Sequence, residues 1–149
     1  MSNQQAFDLM QQGMLPPFTG LPPQNPHYDM IDAQLTTELF GALAPGRPDI
    51  AQQLAYLPIR TTASGEAADI AQFYVELHAR AALFTADVVQ DKTKLRPALL
   101  GIAAQARQTL PANQYPAKMY DFVLAQFQAG VRGNGARYRF IPAGSSWSN

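Results

Sequence analysis

SGEAADIAQFYVELHARAALF, residues 64–84, is the stretch whose reading decides the fold. Ile70, Phe73, Tyr74, Leu77, Ala81 and Phe84 recur at intervals of three and four, which lays them along one side of a 3.6-residue helix. Ser64 stands where an N-cap hydroxyl is wanted, and Glu66 falls in the first turn, where a negative charge meets the positive end of the helix dipole. Ala67, Ala68, Ala71, Ala79, Ala81 and Ala82 are small enough for another helix to approach closely. Glu76 and Arg80, four apart, predict an ion pair on the helix surface.

The same period appears on both sides. Upstream, Ile31, Leu35, Leu39 and Leu43 recur every four residues between Asp29 and Leu43, with Phe40 widening the stripe, and Pro45-Gly46 ends the run. Pro48 suits a first helical turn, and Ile50, Leu54 and Leu57 carry a second helix as far as Pro58. Downstream, a helix from about Lys94 to Thr109 places Leu95, Leu99, Ile102 and Ala106 inward. Another from Pro116 to Ala129 shows Met119, Phe122, Val123 and Phe127 and is closed by Gly130.

At the N-terminus, residues 2–12 predict a short helix with Ser2 as N-cap, Phe7 and Met10 on one face and Gly13 as its stop. Residues 14–28 carry five of the twelve prolines, which predicts an extended connector that Phe18 and Leu21 pin to a surface. Only Tyr138-Arg139-Phe140-Ile141 suggests a strand. Gly133-Asn134-Gly135 reads as a turn, and residues 131–149 as an irregular Gly/Ser-rich tail. The expectation is all-α and bundle-like. It comprises one helical domain or fragment over 1–149: a helix plus Pro-rich connector over 1–28, a helical core over 29–130, and the tail.

Composition narrows the function classes. Hydrophobic residues are 47% of the chain, enough to build a core. Eleven basic and eleven acidic residues cancel, so nothing steers the chain to nucleic acid or a charged membrane. Cysteine is absent, which removes disulfides and thiolate chemistry. No apolar run reaches the ~20 residues that cross a bilayer, and MSNQQAFDLMQQG is no signal peptide. A soluble protein is expected, and the composition suits the cytoplasm.

Two loops concentrate polar groups at helix starts. In the first, Asp29, Asp32, Gln34, Thr36 and Thr37 crowd together. The two aspartates share a face, but capping and dipole complementarity explain them better than metal ligation does. In the second, Arg60-Thr61-Thr62-Ala63-Ser64-Gly65-Glu66, hydroxyls, a glycine and helix-start amides suit an anion or a sugar hydroxyl, and ordinary capping suits them equally. His78 and His27 stand alone, with no second histidine at metal-binding spacing. No P-loop, GxSxG or dinucleotide fingerprint occurs.

The order of these pieces resembles the central part of the ADP-ribosylglycohydrolases. Ile31-Asp32-Ala33-Gln34, Phe40-Gly41, Ala44-Pro45-Gly46-Arg47-Pro48 and Leu54-Ala55-Tyr56 follow that family's I-x-A-Q helix and A-P-G-x-P turn. Ser64-Gly65-Glu66-Ala67, a long small-residue helix, Asp87 and Leu110-Pro111 continue the match. It covers residues 28–111, with weaker support to 147. In the family a Ser/Thr-His pair precedes the Gly-Glu loop; here Thr61 and Thr62 precede Ala63, and the histidine is missing.

The resemblance implies an all-α fold whose site holds two Mg²⁺ ions, with metal and water cleaving a glycosidic bond to ADP-ribose. It places the metal ligands in an Asp-Asp-Thr-type motif before this region and an Asp-x-Asp-Asp-type motif after it, and residues 1–149 contain neither. It therefore implies an incomplete member, inactive alone, with no catalytic residue and no metal ligand in this chain. Gln34, Thr62, Ser64, Gly65 and Glu66 become its substrate contacts. The implied partners are ADP-ribose or an ADP-ribosylated substrate, and the remainder of the fold. The competing expectations are a non-catalytic nucleotide- or protein-binding helical module, or a helical protein unrelated to the family.

Overall fold

The computed structural model describes residues 1–130; the tail, the suggested strand at 138–141 and the turn at 133–135 lie outside them. The described chain is all-α. The helices are α1 (Ser2–Gln11), α2 (Thr37–Leu43), α3 (Pro48–Thr62), α4 (Gly65–Ala81), α5 (Ala86–Gln90), α6 (Lys92–Ala106) and α7 (Tyr115–Gln128). Three 3₁₀ turns join them, at Phe18–Gly20, Ile31–Thr36 and Arg107–Thr109. No described helix is long and apolar enough to cross a membrane.

Helix α4 is the hub, touched by α2, α3, α6 and α7. The core around it is built from alanine. Of its twelve buried residues nine are alanine, and only Phe40, Ile59 and Val75 are larger. Such a core gains little from apolar transfer per residue, since each methylene contributes only about 0.8 kcal/mol. Close helix approach and dispersion contacts must carry more of it. Gly41 shows how close: a Cβ there would lie 2.5 Å from the His78 Cβ and 2.7 Å from the Ala79 amide. Gly46, at φ +71°, lets the turn after α2 double back so that its amide donates to the Ala79 carbonyl at 2.8 Å.

The alanine core reverses the expected facing of the upstream helices. Ile31, Leu35, Leu39 and Leu43 are 59, 64, 57 and 61% exposed. The backbone over Ile31–Thr36 is 3₁₀, so a four-residue repeat does not form one continuous face across it; of the expected stripe only Phe40 is buried, and Ala33, Thr37, Gly41 and Ala44 turn inward with it. In α3 the buried residues are Ala51, Ala55, Ile59 and Thr62, and Leu54 and Leu57 face outward. In α4 the buried side is Ala67, Ala68, Ala71, Val75, Glu76 and Ala79, while Tyr74 is exposed. Leu99 of α6 and Val123 of α7 are exposed as well.

Several boundaries also differ from expectation. Helix α3 passes through Pro58 to Thr62. Pro58 lies on the exposed side, where water can serve the Leu54 carbonyl that loses its i+4 amide. Helix α5 precedes α6 unannounced. Ser2 is the first residue of α1 rather than its N-cap; it is fully buried, and its Oγ donates to Asp32 Oδ2 at 2.5 Å. Phe7 and Met10 are exposed.

The proline-rich stretch is a chain of turns rather than an extended connector, and Phe18 is exposed. Its centre is Asn25, fully buried, which donates to the Ser2 and Thr19 carbonyls at 3.2 and 3.1 Å and accepts from the His27 amide. Buried amide side chains need such partners, and these bonds close the turns onto α1.

Candidate functional site

The α3–α4 junction is the loop that the sequence marks. Helix α3 ends at Thr62, Ala63 and Ser64 are extended, and Gly65 opens α4 at φ +56°, a conformation that favours glycine. Gly20 sets where the junction sits, since a Cβ on it would come within 2.4 Å of the Arg60 carbonyl. The Ser64 amide donates to the Tyr28 carbonyl at 3.2 Å, tying the junction to the segment that leads into Ile31–Thr36.

The five candidate contact residues take different positions. Gly65 is exposed, with no atom within 4 Å of where a Cβ would stand. Ser64 occupies the N-cap position, but its side chain makes no capping bond, which leaves the first amides of α4 without that acceptor. Thr62 is buried at the end of α3. Glu66 turns away from the loop: its Oε1 accepts from the Tyr115 amide at 2.9 Å, at the first turn of α7. Gln34 is half-buried, with its carbonyl taking the Thr37 hydroxyl at 3.0 Å. No hydrogen bond links Gln34 to the Thr62–Glu66 loop among the described residues; the two segments are held near one another by the Ser64–Tyr28 backbone bond and by the packing of the Ile31–Thr36 turn against α3 and α4.

A second polar constellation lies between α3 and α4. Glu76 is buried, accepting from Arg80 Nε at 2.6 Å and Gln52 Nε2 at 2.8 Å. The expected surface pair is thus a buried acid whose arginine also reaches Gln105 of α6. Further along, the Arg60 guanidinium lies 4.3 Å over the Tyr56 ring. Burial pushes the Asp69 carboxyl above the ordinary aspartate value, against the opposing pull of Arg60 and a hydrogen bond from Gln114. Gln52, Tyr56 and Arg60 are four apart on α3, and Asp69, Gln72, Glu76 and Arg80 are three or four apart on α4. That paired polar spacing is the sequence signal for this seam, and the apolar periodicity of the same helices masks it.

The residues present do not fit a paired-Mg²⁺ centre. Among the described residues no three His, Asp or Glu side chains gather closely enough to hold a metal ion. Asp32 is engaged by Ser2, and Asp29 is exposed. Fold and site together define a helical module with an open, uncapped helix start and a buried polar seam. No protein-family model, no curated protein and no solved structure matches this chain.

Proposed function

We propose that this chain is a wall-forming helical part of an ADP-ribosylglycohydrolase-type hydrolase, presenting the Ser64–Gly65 loop to ADP-ribose and supplying none of the hydrolytic groups. The observation that carries the reading is the open start of α4. Its amides lack a side-chain cap, Gly65 leaves room for close approach, and Tyr28 binds the loop to the Gln34 segment. Helix-start amides complement the negative charge of a diphosphate. The ordered motifs between residues 28 and 111 support the family, and the outward Leu stripes support further helices packed on this one. In this reading Gln34, Ser64 and Gly65 contact substrate, Thr62 sits beneath the loop, and Glu66 acts by holding α7.

Calorimetry with ADP-ribose tests the wall. Saturable millimolar binding that Gly65→Val abolishes is expected, and no heat at millimolar ligand overturns the nucleotide contact. The pure chain, supplied with Mg²⁺ and an ADP-ribosylated protein, is expected to release no ADP-ribose; robust turnover would show that it carries hydrolytic groups of its own. The alternative, a non-catalytic protein-binding module, draws on the same outward leucines and predicts partner binding with no response to ADP-ribose.

A further inference from the structure

The first turns of α6 carry a pattern that the core does not use. Lys92 and Arg96 are four apart and share one side of the helix, with Leu95, Leu99 and Leu100 beside them. Together with Phe127 of α7 these five line a groove of 530 Å³. Lys92, Arg96, Leu99 and Leu100 are exposed, and Leu95 and Phe127 are half-buried, so each can be reached from solvent. A second hollow of 360 Å³ shares Leu100 and Phe127 with the first and has Met119, Val123 and Leu124 among its walls.

Two side-chain contacts tie this part of the chain together. Arg107, just past α6, donates to both Asp121 oxygens at 2.9 and 2.8 Å, and the Arg96 guanidinium lies 4.7 Å over the Phe127 ring. The acids near the start of α6 are already engaged. Asp87 takes Lys94 at 3.3 Å, and Asp91 accepts from the Thr93 amide at 2.8 Å. Among the described residues no acidic side chain lines the groove, and the Lys92 and Arg96 side chains form no ion pair or hydrogen bond. Two like charges one turn apart repel each other, and the positive end of the helix dipole adds to the repulsion. An anion held between them would relieve both.

We infer that this groove binds the anion of a free medium-chain fatty acid. The carboxylate accepts from the Arg96 guanidinium and the Lys92 ammonium. Stacking on Phe127 occupies one face of the guanidinium and leaves its in-plane N–H groups to donate, in the geometry that matches a carboxylate. The alkyl chain lies along Leu95, Leu99 and Leu100, and each methylene placed there leaves water. The volume falls within the range of small-ligand sites. A partner helix, about 10–12 Å across, would rest on the rim rather than enter. Charge selects the head group, because a neutral amphiphile would leave the two cations unrelieved. The inference is independent of the ADP-ribose reading, since it uses none of the residues named there.

Methyl NMR of the whole chain tests it with four small probes. Octanoate is expected to give saturable shifts at the Leu95, Leu99 and Leu100 methyls. Octylammonium, which reverses the charge, octanol, which removes it, and acetate, which lacks the chain, should each bind at least about tenfold more weakly. Arg96→Met and Lys92→Met, both at exposed positions, should each weaken octanoate by a similar factor. The proposal is overturned if octanoate gives no saturable shift, or if octylammonium binds as tightly. It is also overturned if the chain binds anionic vesicles but not monomeric octanoate, which would assign the two cations to a membrane surface. Nuclear Overhauser effects from these methyls to residues 131–149, with no response to octanoate, would assign the groove to the chain's own end instead. All of these overturning results are read on the unaltered chain and need no variant to fold.

Discussion

Glu66 and Tyr115, forty-nine residues apart, are joined by one hydrogen bond from the Tyr115 amide to Glu66 Oε1 at 2.9 Å. Gln114, at the N-cap of α7, makes no side-chain capping bond, so the carboxylate of α4 does that work from another helix. It satisfies an orphan amide and meets the positive end of the α7 dipole.

Glu66→Ala should therefore destabilise the chain by about 1 kcal/mol, the usual value of a lost cap. Urea denaturation measures the loss. Hydrogen exchange at the Tyr115 amide should accelerate with it, while the amides in the middle of α3 change no more than the global stability does. Unchanged exchange at Tyr115 would show that the bond contributes nothing.

Two glycine substitutions should move stability in opposite directions. Gly41→Ala forces a methyl into His78 and Ala79, and overpacking of this kind costs about 1–3 kcal/mol. Gly101 lies inside α6 with no atom within 4 Å of a Cβ, so Gly101→Ala should stabilise by about 0.5–1 kcal/mol through helix propensity. Paired thermal melts decide both.

The reversed facing makes a third prediction. Leu35→Ser and Leu39→Ser should each change the stability of the isolated chain by less than about 0.5 kcal/mol, as surface substitutions do. Ala71→Leu, an ostensibly milder change at a fully buried site, should cost about 1–3 kcal/mol. The opposite ranking in denaturant melts would mean that the leucines form the core.

Asp69 supplies a pH dependence. Burial raises its carboxyl above the ordinary aspartate value, so the folded state favours the protonated form. The sign follows: the favourable contribution is complete below the unfolded-state pKa of about 3.9 and is lost as pH rises through the higher folded value. Asp69→Asn should therefore gain stability relative to the parent as pH rises from the acid range to neutrality. Stability curves of both proteins across that interval check it. A relative stability that falls with rising pH would mean that the Arg60 attraction outweighs burial.

Helix ends were legible because their chemistry is local. Ser64, Pro48 and Gly130 mark starts and stops that depend on the residues beside them, and α3, α4, α6 and α7 fall where those signals put them to within a few residues. Pro58 was the exception, since a proline on an exposed face breaks one bond without ending the helix. Facing was much less legible. Ranking by hydrophobicity puts Leu39 and Leu54 inside, whereas close packing on α4 takes mostly Ala51, Ala55, Gly41 and their like, with Phe40 and Ile59 the large side chains that α2 and α3 bury. The candidate loop was recognisable from Ser64 and Gly65, but the engagement of Glu66 with Tyr115 depends on a contact across forty-nine residues that no spacing encodes.

Pro58 carries a consequence for whatever rests on the leucine side of α3. In water the Leu54 carbonyl can find a donor, but beneath an apolar cover it would be stranded, at a cost comparable to a lost hydrogen bond. A neighbour seated over Leu54 and Leu57 must therefore bring an N–H or O–H to one fixed point among its own hydrophobic side chains. That requirement turns a greasy stripe into a keyed surface: one proline specifies the height at which a partner can sit, and a partner displaced by a single helical turn would leave the lock unfilled.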